Sequence, residues 1–148
     1  MRSFREDVHV HAGAADVYVL LTRFADADRW LPHAFRDVRA HADGITFALG
    51  LPGRTEHADL TLAEQEPNER LVLRPRNGPN GAAAGLDTIA WIVTDESARE
   101  SHLTVEAFYR PMGGPLGPLL DLVLHRPHRQ QAFRDALWRF KLLIEGRD

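Results

Sequence analysis

Six consecutive segments in the middle of the chain are predicted to be β-strands, and the connections between them are very short. The strands are predicted at 35–42, 44–50, 54–65, 70–76, 86–95 and 101–110. Turn-forming sequences separate them, namely ADG, LPG, EPNE, NGPNG and DESARE. Because no connection is long enough to hold a crossover helix, consecutive strands must pair antiparallel, as hairpins.

The residues before this sheet predict one more strand and two short helices. Residues 4–11 alternate between apolar and polar side chains, which predicts a half-buried strand. In GAADVYVLLTRF the apolar residues recur at helical spacing. The next segment, ADADRWLPHAF, predicts a second helix with Asp26 or Asp28 as its N-cap and Pro32 as its stop.

After RPMGGPLGP the chain is predicted to be helical to its end, with a bend or an interruption at Pro127. In FRDALWRFKLLIEG, residues 133–146, Leu137 and Phe140 lie on one broad apolar stripe. An antiparallel sheet with a single long helix hides that stripe by curling around the helix. The predicted fold class is therefore α+β, with a strongly curved antiparallel sheet of about seven strands wrapped around a long C-terminal helix.

Composition restricts the class of protein further. A chain of 148 residues is predicted to form one domain, residues 1–148. Its 18 basic and 21 acidic residues leave a net charge of −3, which gives no reason to expect nucleic acid as a partner. The absence of cysteine excludes thiolate chemistry and fits a reducing compartment. No membrane span and no signal peptide are evident, so a cytoplasmic location is expected.

Four parts of the chain together resemble the START-related superfamily of polyketide cyclases and lipid-transfer proteins, which have the helix-grip fold. They are VHVHAGAADVYVLLTRFADADRWLPHA, EPNERLVLR, LTVEAFYRPMGGPLG and LWRFKLLIEG. The resemblance covers nearly the whole chain, and it indicates fold more specifically than function. It implies a hydrophobic tunnel between the concave face of the sheet and the long helix. Its mouth is expected at Trp30, Leu31 and His33, and its helical wall at Leu119, Leu120, Val123 and Leu124.

The alternation of apolar residues along each strand assigns the side chains that face such a tunnel. Together with the resemblance it predicts a set of ligand-binding residues, and no cofactor is expected. The candidates are Trp30, Phe47, Leu60, Trp91, Val93, Tyr109, Leu120 and Leu124.

Some inward-facing residues carry polar groups. Trp91 and Tyr109 have an N–H and a hydroxyl that can orient a ligand carbonyl or hydroxyl. Replacing Tyr109 by phenylalanine is expected to leave packing almost unchanged while testing whether the hydroxyl binds or catalyses. Arg54 and Glu56 also point inward, either as a structural ion pair, which we favour, or as an anchor for a ligand head group.

Histidines form two groups. His9 and His11 share the outer face of the first strand, and His102 lies on the outer face of the last strand, which the resemblance makes its neighbour. Three imidazoles suit a divalent cation, but the sequence shows no outer partners that would orient them, so no metal site is expected. Asp121 and His125 fall nominally on one helical face with His128, and we interpret that face as solvated.

Three functions remain open at this level. The first is a protein that binds a small hydrophobic ligand, such as a lipid, an isoprenoid or a polyketide. The second is a cyclase or dehydratase that uses the same cavity, although no nucleophile, phosphate-loop or dinucleotide motif is present and no catalytic residue is assigned. The third is a regulatory module that binds a macromolecule. Basic residues of the last helix are interpreted as its solvated side, namely Arg126, Arg129, Arg134, Arg139 and Lys141.

Overall fold

The computed structural model describes residues 1–76, 85–111 and 113–146, and the predicted NGPNG turn at 77–81 lies outside them. The strands are β1 (Arg2–Val10), β2 (Phe35–His41), β3 (Gly44–Leu51), β4 (Arg54–Glu66), β5 (Arg70–Pro75), β6 (Gly85–Ser97) and β7 (Glu100–Arg110). The helices are α1 (Ala14–Thr22), a 3-10 helix (Phe24–Arg29), α2 (Gly117–Leu120), a π-helical turn (Asp121–His125) and α3 (Arg126–Ile144).

The seven strands form one antiparallel sheet in the order β1-β7-β6-β5-β4-β3-β2. Each strand from β2 to β6 pairs with the next one along the chain, which confirms the series of hairpins. β1 closes the far edge against β7, and His9 lies opposite His102 there. Register shifts interrupt several of these pairs, for example between Leu62 and Glu64. Such bulges bend a strand and increase its twist, so they help the sheet to curl around the helix.

The apolar stripe of α3 fills the concave face of the sheet, as predicted. Leu137 and Phe140 are both buried. The ring of Phe133 lies 5.5 Å from that of Phe4 on β1 and 5.3 Å from that of Phe35 on β2. These contacts span both edges of the sheet, so the helix is the centre of the core. The α+β helix-grip architecture is confirmed.

The second N-terminal helix is shorter and tighter than an α-helix, and the predicted N-caps are wrong. The 3-10 helix begins at Phe24, directly after α1, and Arg23 occupies its N-cap position without a side-chain cap. Asp26 and Asp28 therefore lie inside the helix. The predicted stop agrees with the structure, because the helix ends at Arg29, before Pro32.

The predicted interruption at Pro127 takes the form of a wider helical turn. Proline has no backbone N–H, so the carbonyl one turn earlier loses its normal donor. Just before it, the Arg126 N–H donates to the carbonyl oxygen of Asp121, five residues earlier. The helical segment thus continues through 121–125 with a π-type pattern instead of breaking.

Candidate functional site

A small apolar cavity lies between the helical layer and the concave face of the sheet. Its volume is about 30 Å³. Its lining residues are Leu21, Phe24, Ala27, Trp30, Leu31, Phe35, Ile45, Phe47, Leu71, Leu73, Ile89, Trp91 and Phe133. Five of them come from α1, the 3-10 helix and the two residues that follow it, and we name residues 21–31 the cover. The other residues belong to strands β2, β3, β5 and β6, apart from one on α3.

The structure separates the predicted ligand-binding residues into two groups. Trp30, Phe47 and Trp91 line the cavity. Leu60, Val93 and Tyr109 are buried in the core but do not line it, and Leu120 and Leu124 are half-buried on the helical segment away from it. At the predicted mouth, Leu31 lines the cavity and His33 is exposed.

The predicted helical wall is wrong for Leu119 and Val123. Their exposed fractions are 57% and 63%, because Asp121 and His125 occupy the inward-facing positions of this part of the helical segment. Leu116 and Leu122 are exposed as well. The contribution of the C-terminal helical segment to the cavity comes instead from Phe133 on α3.

Edge-to-face aromatic contacts explain why the cavity is so small. Trp30 stands perpendicular to Trp91, with ring centroids 5.4 Å apart, and its ring also lies 5.3 Å from that of Phe140. On the other side, the ring of Phe35 lies 5.1 Å from that of Phe47 and 5.3 Å from that of Phe133. These separations are in the favourable range for aromatic pairs. The rings therefore occupy most of the space that a tunnel would have.

Trp30 brings a fully buried polar atom without a partner to the lining. Its indole Nε1 is buried and has no hydrogen-bond partner within the described parts of the chain. A buried N–H without an acceptor costs about 1–3 kcal/mol. A ligand oxygen placed beside Trp30 would recover that free energy, whereas a purely apolar ligand would not.

A buried polar network holds the start of α3 to the sheet, and Arg129 is its centre. This side chain has an exposed fraction of 0%. It donates from Nε to Glu56 Oε1 at 3.1 Å and from Nη2 to Glu56 Oε2, and its Nη1 donates to Asp121 Oδ1 at 2.8 Å. Arg54 adds an ion pair to Glu56 at 3.3 Å, so the predicted inward pair is present as part of a larger structural set. The bidentate arrangement is a strong form of arginine–carboxylate contact.

Tyr109 belongs to this network and not to the cavity. Its hydroxyl donates to Asp121 Oδ2 at 2.8 Å, and Arg2 Nη1 donates to the same oxygen at 2.8 Å. Burial raises the pKa of the Tyr109 hydroxyl, and the hydrogen bond to Asp121 raises it further. The guanidinium carbon of Arg129 also lies 4.2 Å from the centre of the tyrosine ring. The expectation that the hydroxyl faces a ligand is therefore wrong.

Two interpretations of the helical surface need correction. Asp121 and His125 are buried, so their face is not solvated, and only His128 of that set is exposed. Of the basic residues, Arg129 and Lys141 are also buried. Lys141 Nζ donates to the His9 carbonyl oxygen at 2.8 Å and to Glu145 at 2.7 Å. Backbone and carboxylate partners make this burial tolerable.

No helix of the described residues is long and apolar enough to cross a membrane. Within those residues, the cavity lining has no titratable side chain. The described lining therefore offers an apolar surface with the buried, unpartnered N–H of Trp30, and it offers no convergent acid and base.

Solved structures of known proteins share the fold. The protein TTHA0849 from Thermus thermophilus is 14% identical, with 98% of both chains covered and a TM-score of 0.77. The di-domain ARO/CYC BexL from the BE-7585A biosynthetic pathway is 22% identical, and the match covers 98% of this chain and 47% of that one with a TM-score of 0.69. A START superfamily protein from Mycobacterium smegmatis is 13% identical, with coverages of 93% and 97% and a TM-score of 0.61. No curated protein matches the sequence.

At these identities the solved structures establish the fold alone. The family model described as polyketide cyclase/dehydrase and lipid transport matches residues 1–145, which is nearly the whole chain. The chain therefore belongs to the polyketide cyclase/dehydrase and lipid transport family.

Proposed function

We propose that the protein binds a small hydrophobic molecule, of lipid, isoprenoid or polyketide type, between the sheet and the helical layer. The observation that carries this proposal is the all-apolar lining of the cavity together with the unsatisfied Trp30 N–H. Ligand sites are typically apolar surfaces with a few polar groups that set the orientation. We infer that the ligand has an acceptor oxygen, which the Trp30 N–H would meet.

Binding requires the cavity to open. Sites for drug-sized ligands have volumes of about 300–1,000 Å³, so side chains must move before such a molecule fits beside the 30 Å³ of free space. The cover is the part best able to move, because it is helix and loop, without the hydrogen-bond ladder of a sheet. Arg139 links it to α3 by donating to the carbonyl oxygens of Leu31 at 3.1 Å and Arg29 at 3.5 Å.

Binding is favoured over catalysis by the content of the cavity. An enzyme of this kind needs several polar groups that converge on the substrate. In the described residues such groups lie in the Arg129 network, where they already bond to each other. The cyclase activity in the description of the family therefore finds less support here than binding does.

The cavity tryptophans allow a direct test. The chain has three tryptophans, and Trp138 is exposed, so Trp138→Phe leaves only Trp30 and Trp91 as fluorescent reporters, both in the lining. We expect saturable quenching when 1-naphthol or palmitate is titrated into this variant. Native mass spectrometry of the purified protein would show whether a small molecule co-purifies. If neither probe binds saturably and nothing co-purifies, the proposal is wrong.

Two matched substitutions locate the site. Ala27→Phe places a ring in the cavity, whereas Ala25→Phe puts the same ring on the exposed side of the same 3-10 helix. We expect the first to weaken probe binding at least tenfold and the second to leave it within about twofold. Trp30→Phe keeps an aromatic ring and removes the N–H, so it should weaken 1-naphthol by about 0.5–1.5 kcal/mol and leave naphthalene unchanged. Urea unfolding of each variant controls for misfolding.

A further inference from the structure

The outer face of the sheet carries a group of histidines and glutamates where β1 ends beside the β6–β7 hairpin. We name His9, His11, Glu96, Glu100 and His102 the histidine cluster. Ligand atoms of His9, His11 and Glu100 lie within 4.8 Å of one another, and so do those of His9, Glu96 and His102. The cluster lies on the opposite side of the sheet from the cavity, so it is independent of the proposed ligand site.

In the first of these triads, the two distances from the Glu100 oxygen match the spacing of a tetrahedral metal site. Glu100 Oε1 is 3.4 Å from His9 Nε2 and 3.4 Å from His11 Nδ1. Atoms that lie 2.0–2.1 Å from zinc at tetrahedral angles are about 3.3–3.4 Å apart. His9 and His11 are two residues apart at the end of a strand, so their side chains project to the same face. Their ring centroids are 4.9 Å apart.

Glu96 orients the ring of His9. Its Oε1 lies 2.8 Å from His9 Nδ1. In the neutral tautomer that donates from Nδ1 to this carboxylate, Nε2 is the nitrogen with the lone pair that a metal needs. A carboxylate behind a metal-binding histidine fixes the tautomer and the direction of the ring. His11 is held by its backbone, because its N–H donates to Glu145 Oε2 at 2.8 Å.

The second triad fits a metal less well. Glu96 Oε1 is 2.8 Å from His9 Nδ1, which is hydrogen-bond distance and shorter than the edge of a zinc tetrahedron. The same oxygen is 3.9 Å from His102 Nδ1, which is longer than that edge. His102 Nε2 already faces Asp7 at 3.0 Å. We therefore assign His102 to the surroundings of the site and not to the ligands.

We propose that His9 Nε2, His11 Nδ1 and Glu100 Oε1 bind a divalent transition metal, with zinc as the ion that suits two imidazoles and one carboxylate. Three protein ligands leave the fourth position to water, since all three side chains are partly exposed. The ion joins the end of β1 to the start of β7. No metal site was expected from the sequence because no partner for the imidazoles was evident there, and Glu96 is the residue that changes this inference.

The test uses protein without an affinity tag, freed of metal by a chelator and titrated with zinc chloride in a calorimeter. We expect one equivalent to bind and the melting temperature to rise with zinc, because an ion that binds only the folded state stabilises it. His11→Gln and Glu100→Gln should each weaken binding at least tenfold. Glu96→Gln should weaken it about 10–100-fold, because His9 loses the carboxylate that orients it.

Two controls keep the assignment falsifiable. His57→Gln removes an exposed histidine on β4, and His102→Gln removes the histidine of the cluster that is not a proposed ligand. Both should bind zinc as the wild type does, and the melting temperature of each variant without metal verifies its fold. Replacing zinc by cobalt should give the absorption of a tetrahedral ion. Absence of binding at micromolar zinc, or a loss in His102→Gln as large as in His11→Gln, would overturn the proposal.

Discussion

Replacing Arg129 by methionine should destabilise the protein strongly, although this residue lies on a helix that is rich in basic residues. The long unbranched side chain of methionine preserves much of the packing volume and removes the charge and every donor. Glu56 then loses two hydrogen bonds, and Asp121 loses one. Both carboxylates stay buried, so each must keep its charge with fewer partners or take up a proton.

The size of the stability loss in Arg129→Met depends on the partners that the two carboxylates keep. Breaking a buried ion pair by removing one partner costs about 3–5 kcal/mol. Here Glu56 keeps its 3.3 Å ion pair with Arg54, and Asp121 keeps its bonds from Tyr109 and Arg2. We therefore expect a loss of about 3–5 kcal/mol and not twice that, even though two carboxylates are affected. The free energy of unfolding of typical domains is about 5–15 kcal/mol in total. The variant should therefore still fold, but with only a small remaining stability.

Urea unfolding at neutral pH, followed by circular dichroism, measures this difference. Arg134→Met is the matched control. Arg134 lies on the same helix as Arg129, and its guanidinium forms a surface ion pair with Glu6 of β1 at 2.8 Å. Exposed ion pairs contribute about 0–1 kcal/mol, so this variant should stay close to the wild type. Adding Glu56→Gln and Asp121→Asn to Arg129→Met removes the buried charges and should recover part of the loss. A loss under about 1 kcal/mol for Arg129→Met would refute the reasoning.

Two further predictions concern the core. Leu137→Ala should cost about 2–5 kcal/mol in urea unfolding, whereas Leu122→Ala, the same change at an exposed position, should stay within about 0.5 kcal/mol. Tyr109→Phe should cost about 1–3 kcal/mol, because Asp121 loses a donor. The raised pKa of Tyr109 adds a pH dependence. The neutral hydroxyl makes its full contribution to the free energy of unfolding below the pKa of tyrosine in the unfolded chain, which is about 10. This contribution is lost as the pH rises through the higher pKa of the folded state. The wild type should therefore lose stability in strong alkali, and Tyr109→Phe should lack that component. If the wild type and Tyr109→Phe lost the same amount of stability at high pH, this prediction would be contradicted.

The sheet was predictable because its signals are local. Turn sequences such as EPNE set where strands end, and the predicted strands agree with the structure to within about two residues. The period-two pattern of apolar residues identified the buried face of each strand. The apolar stripe through Leu137 and Phe140 indicated that the sheet covers the last helix. The 3-10 helix was harder to predict, since Asp26 and Asp28 are good N-cap residues in sequence but lie inside the helix in the structure.

The buried polar network was not predictable from local pattern. Arg129 and Glu56 are 73 residues apart, and a sequence shows an arginine among other basic residues as one more solvated side chain. Two signals pointed the other way. Asp121 interrupts the apolar run GPLGPLLDLVL, where a solvated residue is out of place, and it precedes Arg129 by eight residues, about two helical turns. Strand parity also placed Glu56 inward. Together these signals indicate that Asp121 and Arg129 lie on one inward face of the helical segment, opposite the inward Glu56 of the sheet.

The two halves of the core differ in the contacts that must break to open them, and under the proposed binding function this difference predicts where a ligand would enter. At the start of α3, separating the helix from the sheet breaks several charged contacts around Arg129 at once. Around the cavity, the contacts of Trp30 with Trp91 and Phe140 contribute about 0.5–1.5 kcal/mol each beyond burial. A bound ligand replaces much of that apolar contact, whereas it cannot replace the guanidinium. If the protein binds a ligand as proposed, we therefore expect the cover to move while the Arg129 end stays closed, and the distance that Trp30 can swing away from the helix would limit the size of that ligand.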